Sequence, residues 1–179
     1  MLRLIMSDLR KKADWCYEDD RAGAVLKVCL TDGTLAMVLY RCMQWSRHSR
    51  LVPLELLFNR LNSICCNCII GRGAEFGPGF VLVHATGVVI NGRVTGGRNV
   101  FIEHQVTIGA ERRQNPTIGS DVFIGAGAKI IGEITVGDHS RIGANAVVLD
   151  DVPAFATVAG IPARVVRRRS SADLTEVAR

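Results

Sequence analysis

Ile118-Gly119-Ser120-Asp121-Val122-Phe123, Ile124-Gly125-Ala126-Gly127-Ala128-Lys129, Ile130-Ile131-Gly132-Glu133-Ile134-Thr135, Val136-Gly137-Asp138-His139-Ser140-Arg141 and Ile142-Gly143-Ala144-Asn145-Ala146-Val147 are consecutive hexapeptides, each opening on an aliphatic residue. The same phase continues to Val148 and runs back through Val106, Val100, Val94, Val88, Leu82, Phe76 and Ile70. Only position 112, an arginine, breaks it. Glycine often follows the apolar residue, as at Gly71, Gly77, Gly119, Gly125, Gly137 and Gly143. A small residue often stands four places after it, as at Ala74, Thr86, Ala128, Ser140 and Ala146. Neither a helix nor an ordinary strand has a period of six.

Such a repeat is the signature of a solenoid in which each hexapeptide makes one short strand and one turn. Three units close a triangular coil of about eighteen residues, and stacked coils bury the large residue while glycine permits tight corners. Residues 70–148 predict roughly four coils of a parallel β-helix. The segment 110–116, with Glu111, Arg112, Arg113, Gln114 and Asn115, is too polar to line a core and reads as a loop pushed out of the coil.

Composition sets wider bounds. The chain has 179 residues, 48% hydrophobic and 22% charged, values typical of a globular protein. No apolar run reaches the eighteen or so residues that span a bilayer, and Met1 to Ser7 is too short and too soon followed by charge to be a secretion signal. A cytoplasmic protein is the expectation. The net charge of +5 comes from dispersed basic residues, apart from Arg164 and Arg167-Arg168-Arg169, and no nucleic-acid motif accompanies them. Cys16, Cys29, Cys42, Cys65, Cys66 and Cys68 lack the spaced pairs of a zinc module and read as reduced thiols.

Residues 1–67 read as helical. Ser7-Asp8-Leu9-Arg10 is expected to cap a first helix, and Asp14 to Asp20 is an acidic, solvated stretch. Gly33-Thr34 starts a helix with an apolar stripe of Leu35, Val38, Leu39, Cys42 and Trp45. Pro53 opens another with Leu54, Leu57, Phe58, Leu61 and Ile64. Trp15 and Trp45 are expected in the core. The helices would cover the lower end of the solenoid, which otherwise exposes a sheet edge.

Chemistry is sought where the repeat's logic fails. His84 stands two places after the inward Leu82, near a corner, and His104 follows one coil above. Neighbouring strands lie about 4.8 Å apart, so two imidazoles can share a cleft.

Four segments together resemble serine O-acetyltransferase: His84-Ala85-Thr86-Gly87-Val88-Val89-Ile90, His104-Gln105-Val106-Thr107-Ile108-Gly109, Ile124 to Gly132, and Ala159-Gly160-Ile161-Pro162-Ala163-Arg164-Val165-Val166. Tyr40 to Trp45 also resembles a helix of that family, and the likeness covers roughly residues 33–167. It implies a left-handed β-helix over 68–152 after the helical region 1–67, with a C-terminal extended segment and tail over 153–179. It also implies homotrimers, or dimers of trimers, with active sites between subunits. Acetyl-CoA is the implied co-substrate, with no metal, and a small hydroxyl compound the acceptor. His84 matches the family's base; His104, from its place one coil above, is the second candidate catalytic histidine. Gly109, Ala126, Gly127, Lys129, Ala144, Gly160 and Arg164 are the implied coenzyme contacts, with Glu103 and Asn115 on the acceptor. Pro162 fixes the tail where it passes the coenzyme, and Leu174 to Arg179 would be at most a frayed helix.

The chain departs from the family twice. Ile69 stands where an aspartate pairs with the catalytic histidine, with no carboxylate in its place, and Asn115 stands where a second histidine precedes proline. Glu103 or Glu75 is expected to orient His84 instead. Without those two groups, the residues resemble most the acetyltransferases of bacterial exopolysaccharide synthesis, so a sugar hydroxyl is the first expected acceptor and L-serine the second. Two further readings are a zinc lyase built on His84, His104 and His139, and a scaffold that has lost the chemistry.

Overall fold

The computed structural model describes residues 1–110 and 114–169. The first coil holds β1 (Ile69–Ile70), β2 (Glu75–Phe76) and β3 (Val81–Leu82); the second β4 (Val89–Ile90), β5 (Thr95–Gly96) and β6 (Phe101–Ile102). The third holds β7 (Thr107–Gly109), β8 (Thr117–Ile118) and β9 (Phe123–Ile124); the fourth β10 (Lys129–Ile131), β11 (Thr135–Val136) and β12 (Arg141–Ile142). Next come β13 (Val147–Val148) and a closing pair, β14 (Ala156–Ala159) and β15 (Arg164–Arg168). The strands stack into three sheets, of order β1-β4-β7-β10-β13, β2-β5-β8-β11 and β3-β6-β9-β12-β14-β15. Every pairing is parallel except β14 with β15. The expected parallel β-helix is the fold.

All thirteen residues of the repeat phase are buried, yet they do not all play one role. Ile70, Phe76 and Leu82 point inward from strands, whereas Val88, Val94, Val100 and Val106 precede the strands and fill corners. The inward strand residues of the second coil are Ile90, Gly96 and Ile102. Two extra residues enter the corner after Leu82, and four more enter between Ile108 and Ile118. Together they equal one repeat, so the sequence phase closes again; the second insertion lies at the expected 110–116 loop, and the first is hidden. Gly96 has a packing reason: the Phe76 ring below it occupies the space a Cβ would need.

Four helices precede the coils: α1 (Leu2–Tyr17), α2 (Ala22–Val28), α3 (Thr34–His48) and α4 (Val52–Cys66). The starts of α3 and α4 match expectation, with Pro53 in the first turn of α4. Other expectations fail. Ser7-Asp8 caps nothing, because α1 begins at Leu2 and Asp8 lies buried in its middle. Much of each apolar stripe does not face the core either, although Phe58 packs against it. Leu35, Trp45, Leu54, Leu57 and Ile64 are exposed, while α3 buries Ala36, Met37, Tyr40, Arg41, Met43 and Gln44. Trp15 is also partly exposed; it lies against Phe101 and Phe123 on the outer face of the coils, with ring centroids 4.7 and 5.4 Å away.

Polar chemistry explains the reversal. Arg41, fully buried, donates from Nε to Asp8 Oδ2 at 2.7 Å, from Nη1 to Gln44 and the Phe76 carbonyl, and from Nη2 to Asp8 Oδ1 and the Gly77 carbonyl. Asp8 also accepts the N–H groups of Gly79 and Phe80. The hydroxyl of Tyr40 donates to Ala74 O and accepts from Phe76 N, both at 3.0 Å. These side chains satisfy backbone groups at the lower end of the solenoid that have no coil beneath them, and an apolar helix face would leave those groups unpaired at a cost of about 1–3 kcal/mol each. Truncation of Arg41 to alanine strands the Asp8 carboxylate in the interior, so Arg41→Ala is expected to lose about 3–5 kcal/mol of stability in urea denaturation.

Candidate functional site

Stacking in register places equivalent corners above one another. Between the third sheet of one turn and the first sheet of the next, Gln105 N–H donates to Thr86 O, Gly127 N–H to His104 O and Asn145 N–H to Ala126 O, each at 2.8–2.9 Å. His84 lies in the extra two-residue bulge of the lowest such corner, and His104 lies one coil up. Their ring centroids are 5.9 Å apart and their planes nearly perpendicular. The cleft with two imidazoles is present.

Its carboxylate comes from an unexpected place. Asp32, in the turn before α3, sets Oδ2 3.2 Å from His84 Nδ1 and 3.3 Å from the Ala85 N–H. Glu75 is on the second sheet, bonded to Gln44, and Glu103 stands 3.7 Å from His104 Nδ1, so neither orients His84. Both side chains of the Asp32–His84 pair are 53% exposed. Charge attraction is weak in water at that exposure, and the pair's main effect is orientation: a neutral imidazole that donates Nδ1–H to Asp32 carries its lone pair on Nε2.

Above His84 a groove of about 440 Å³ runs up the same corner, lined by Glu103, His104, Gly125, Ala126, Gly143 and Ala144. Phe123, Arg141 and Thr157 form its other wall, with the Arg141 guanidinium 4.5 Å over the Phe123 ring. Small residues at two successive levels of this corner, Gly125-Ala126 and Gly143-Ala144, leave a channel wide enough for a thin flexible chain.

The remaining candidates divide. Lys129 reaches the corner and donates to Gln105 O at 2.6 Å. Gly127 supports the corner through its backbone, at φ 72°, with its N–H already given to His104. Gly160, at φ 96°, accepts from Val147 N–H above the groove. Arg164 pairs with Asp150 at 3.1 Å. Gly109 ends β7 and pairs across to Ile131, outside the groove lining. Asn115 lies on a different corner of the triangle, in a cavity of about 570 Å³ with Arg47, Arg72, Asn91 and Arg93. Within one chain, therefore, the described ends of the 110–116 loop do not adjoin His84. His139 occupies the third corner, beside Asp121 and against Phe155, so His84, His104 and His139 do not converge within the chain.

Among the described residues no cluster of three or more histidine, cysteine or acidic side chains could hold a metal, and no helix is long and apolar enough to cross a membrane. The six cysteines are free thiols; burial pushes the Cys68 thiol up to about 12.

Sequence reading missed Asp32, Phe123 and Arg141. Asp32 is 52 residues from its partner, and its local context reads as an ordinary helix start. Phe101 and Phe123 did carry a signal, since each precedes an inward isoleucine and so points outward, where an aromatic side chain is out of place.

Residues 115–150 match the family described as bacterial transferase hexapeptide (six repeats). A serine acetyltransferase of Synechococcus elongatus is 38% identical over 152 residues, covering 83% of this chain and 62% of that protein. The serine acetyltransferase of Bacillus subtilis is 37% identical over 164 residues, covering 88% and 76%. Among solved structures, serine acetyltransferase of Brucella abortus in complex with coenzyme A superposes with a TM-score of 0.86 at 32% identity, over 94% of this chain and 68% of that one. The chain thus spans under two thirds of the cyanobacterial relative and about three quarters of the Bacillus one. On these likenesses and on its stacked hexapeptide coils, the chain belongs to the serine acetyltransferase family of hexapeptide-repeat proteins.

Proposed function

We propose that the chain transfers the acetyl group of acetyl-CoA to the hydroxyl of L-serine. The observation that carries this reading is His84, held by Asp32 so that Nε2 is free, at the foot of a groove lined by small residues. In this reading Nε2 takes the hydroxyl proton of the acceptor as its oxygen attacks the thioester carbon. The C–S bond then breaks, and the coenzyme thiolate recovers that proton from the imidazolium. Ala126 and Ala144 leave room for the pantetheine arm, Gly127 holds the corner, and Lys129, Gly160 and Arg164 lie along the arm's upper path. Glu103 supplies a carboxylate beside His104 for the ammonium of serine, whose burial unpaired would be costly. Six free thiols suit a reducing, cytoplasmic setting.

A homotrimer completes the site in this reading. Asn115, with Arg47, Arg72 and Arg93 around it, occupies a different corner from His84, so a neighbouring chain would supply it to the acceptor. A saccharide hydroxyl is the second reading, favoured by Ile69 and Asn115 in place of the family's aspartate and histidine. Against it, the named relatives are serine acetyltransferases.

Release of free thiol from acetyl-CoA, with L-serine and a panel of saccharides offered separately, decides the acceptor: turnover with serine alone is expected, and turnover with a sugar alone replaces serine by the second reading. His84→Ala should lower kcat by about 100-fold or more, the usual worth of a general base, while acetyl-CoA still raises the melting temperature. A leucine at position 144 fills the channel, so Ala144→Leu is expected to weaken acetyl-CoA at least tenfold by calorimetry with little change in melting temperature.

A further inference from the structure

Lys12 has no evident reason to be a lysine from the standpoint of the core. It lies on α1 with its side chain fully buried, next to Leu9 and Ala13, and an apolar residue of similar length would fill the same space. Burial lowers its pKa to about 8, a sign of what enclosing the ammonium costs. Its hydrogen bonds go to two main-chain carbonyls, those of Asp32 and of Leu82, the latter at 2.9 Å. Asp32 carries the carboxylate that meets His84, and Leu82 ends the strand that leads into His84 two residues later. The ammonium therefore joins the backbones behind the two halves of the pair.

Gly33 makes that junction possible. It sits at φ 79°, and a Cβ there would overlap the carbonyl oxygen of Leu82 and crowd Lys12 Nζ. The turn is secured from the helix side as well, by Thr31 and Thr34 hydroxyls that both donate to Val28 O. A half-exposed aspartate contacting a half-exposed histidine is held by little of its own. What fixes its position is the main chain beneath it.

We infer that Lys12 is a positioning residue for acyl transfer: by clipping the Asp32 main chain to the end of β3, it sets the Asp32 carboxylate against His84 and so selects the imidazole tautomer that can act as base. The inference rests on the reading of His84 as that base. The charged and titratable groups around the clip are Cys16 on the same helix, the Asp32 carboxylate, the thiols of Cys66 and Cys68 toward Asp32, and His84 with His104 beyond it.

The test is a cycle of kcat values for acetyl transfer in the wild type, Lys12→Met, Asp32→Asn and the double variant. Each single change is expected to lower kcat about tenfold or more while the KM for acetyl-CoA stays within twofold. The double variant should fall no further than Asp32→Asn alone, because Lys12 acts through that carboxylate. Gly33→Ala, which opens the clip with Lys12, Asp32 and His84 all present, provides the same cycle if Lys12→Met fails to fold. A general structural role for Lys12 would instead multiply the two losses in the double variant, and that result, or a wild-type kcat in Lys12→Met, overturns the inference. His84→Ala separates the two levels: an inactive His84→Ala beside a fully active Lys12→Met removes the clip alone, whereas an active His84→Ala removes the base and the clip with it.

Discussion

Parallel register between coils is the constraint on which the rest depends. Ile69 pairs with Val89, Val89 with Thr107, Thr107 with Lys129 and Lys129 with Val147, so each turn of the chain returns to the same place one strand spacing higher. A corner residue is thereby lifted above its counterpart whatever the length of the loop between them. Twenty residues separate His84 from His104 and twenty-two separate His104 from Ala126, yet all three share one edge of the prism. Register turns a one-dimensional repeat into a straight groove.

That constraint also explains which features were readable from the residues. The apolar phase of six announces the coils because every phase residue is enclosed, and the histidine pair follows from the coil length. The four-residue insertion showed itself through the polar run of the 110–116 loop, whereas the two residues after Leu82 were hidden because the two lengths together restore the phase. The helical cap misled for a different reason. Its inward face carries buried Asp8, Lys12, Arg41 and Gln44, which satisfy backbone or one another at the open end of the solenoid, together with buried Glu55, paired with Arg47 and Arg72, and Asn62, bonded to the Ala36 carbonyl of α3. A search for an apolar stripe therefore selects the wrong side of α3 and α4. Asp32 was out of reach for the same reason: its meaning lies in a contact across the cap boundary, which no local pattern encodes.

The cap is therefore more than a cover. In this chain the coils place no carboxylate beside His84, since Ile69 is apolar and Glu103 lies against His104. The turn between α2 and α3 supplies that carboxylate from outside, with Lys12 bonded to the main chain of Asp32 and of Leu82, while Arg41 joins the cap to the second-to-third sheet corner. The pair itself is open to solvent, while the groups that hold it from behind are buried.

The two ends of the stack have different finishes. Helices sit under the first coil, and at the other end β15 runs antiparallel to β14 and carries Arg164, Arg167 and Arg168 on exposed positions. A strand edge bristling with like charge is a poor template for another strand. Among the described residues, the third sheet therefore ends on a strand that discourages a further coil from adding to it.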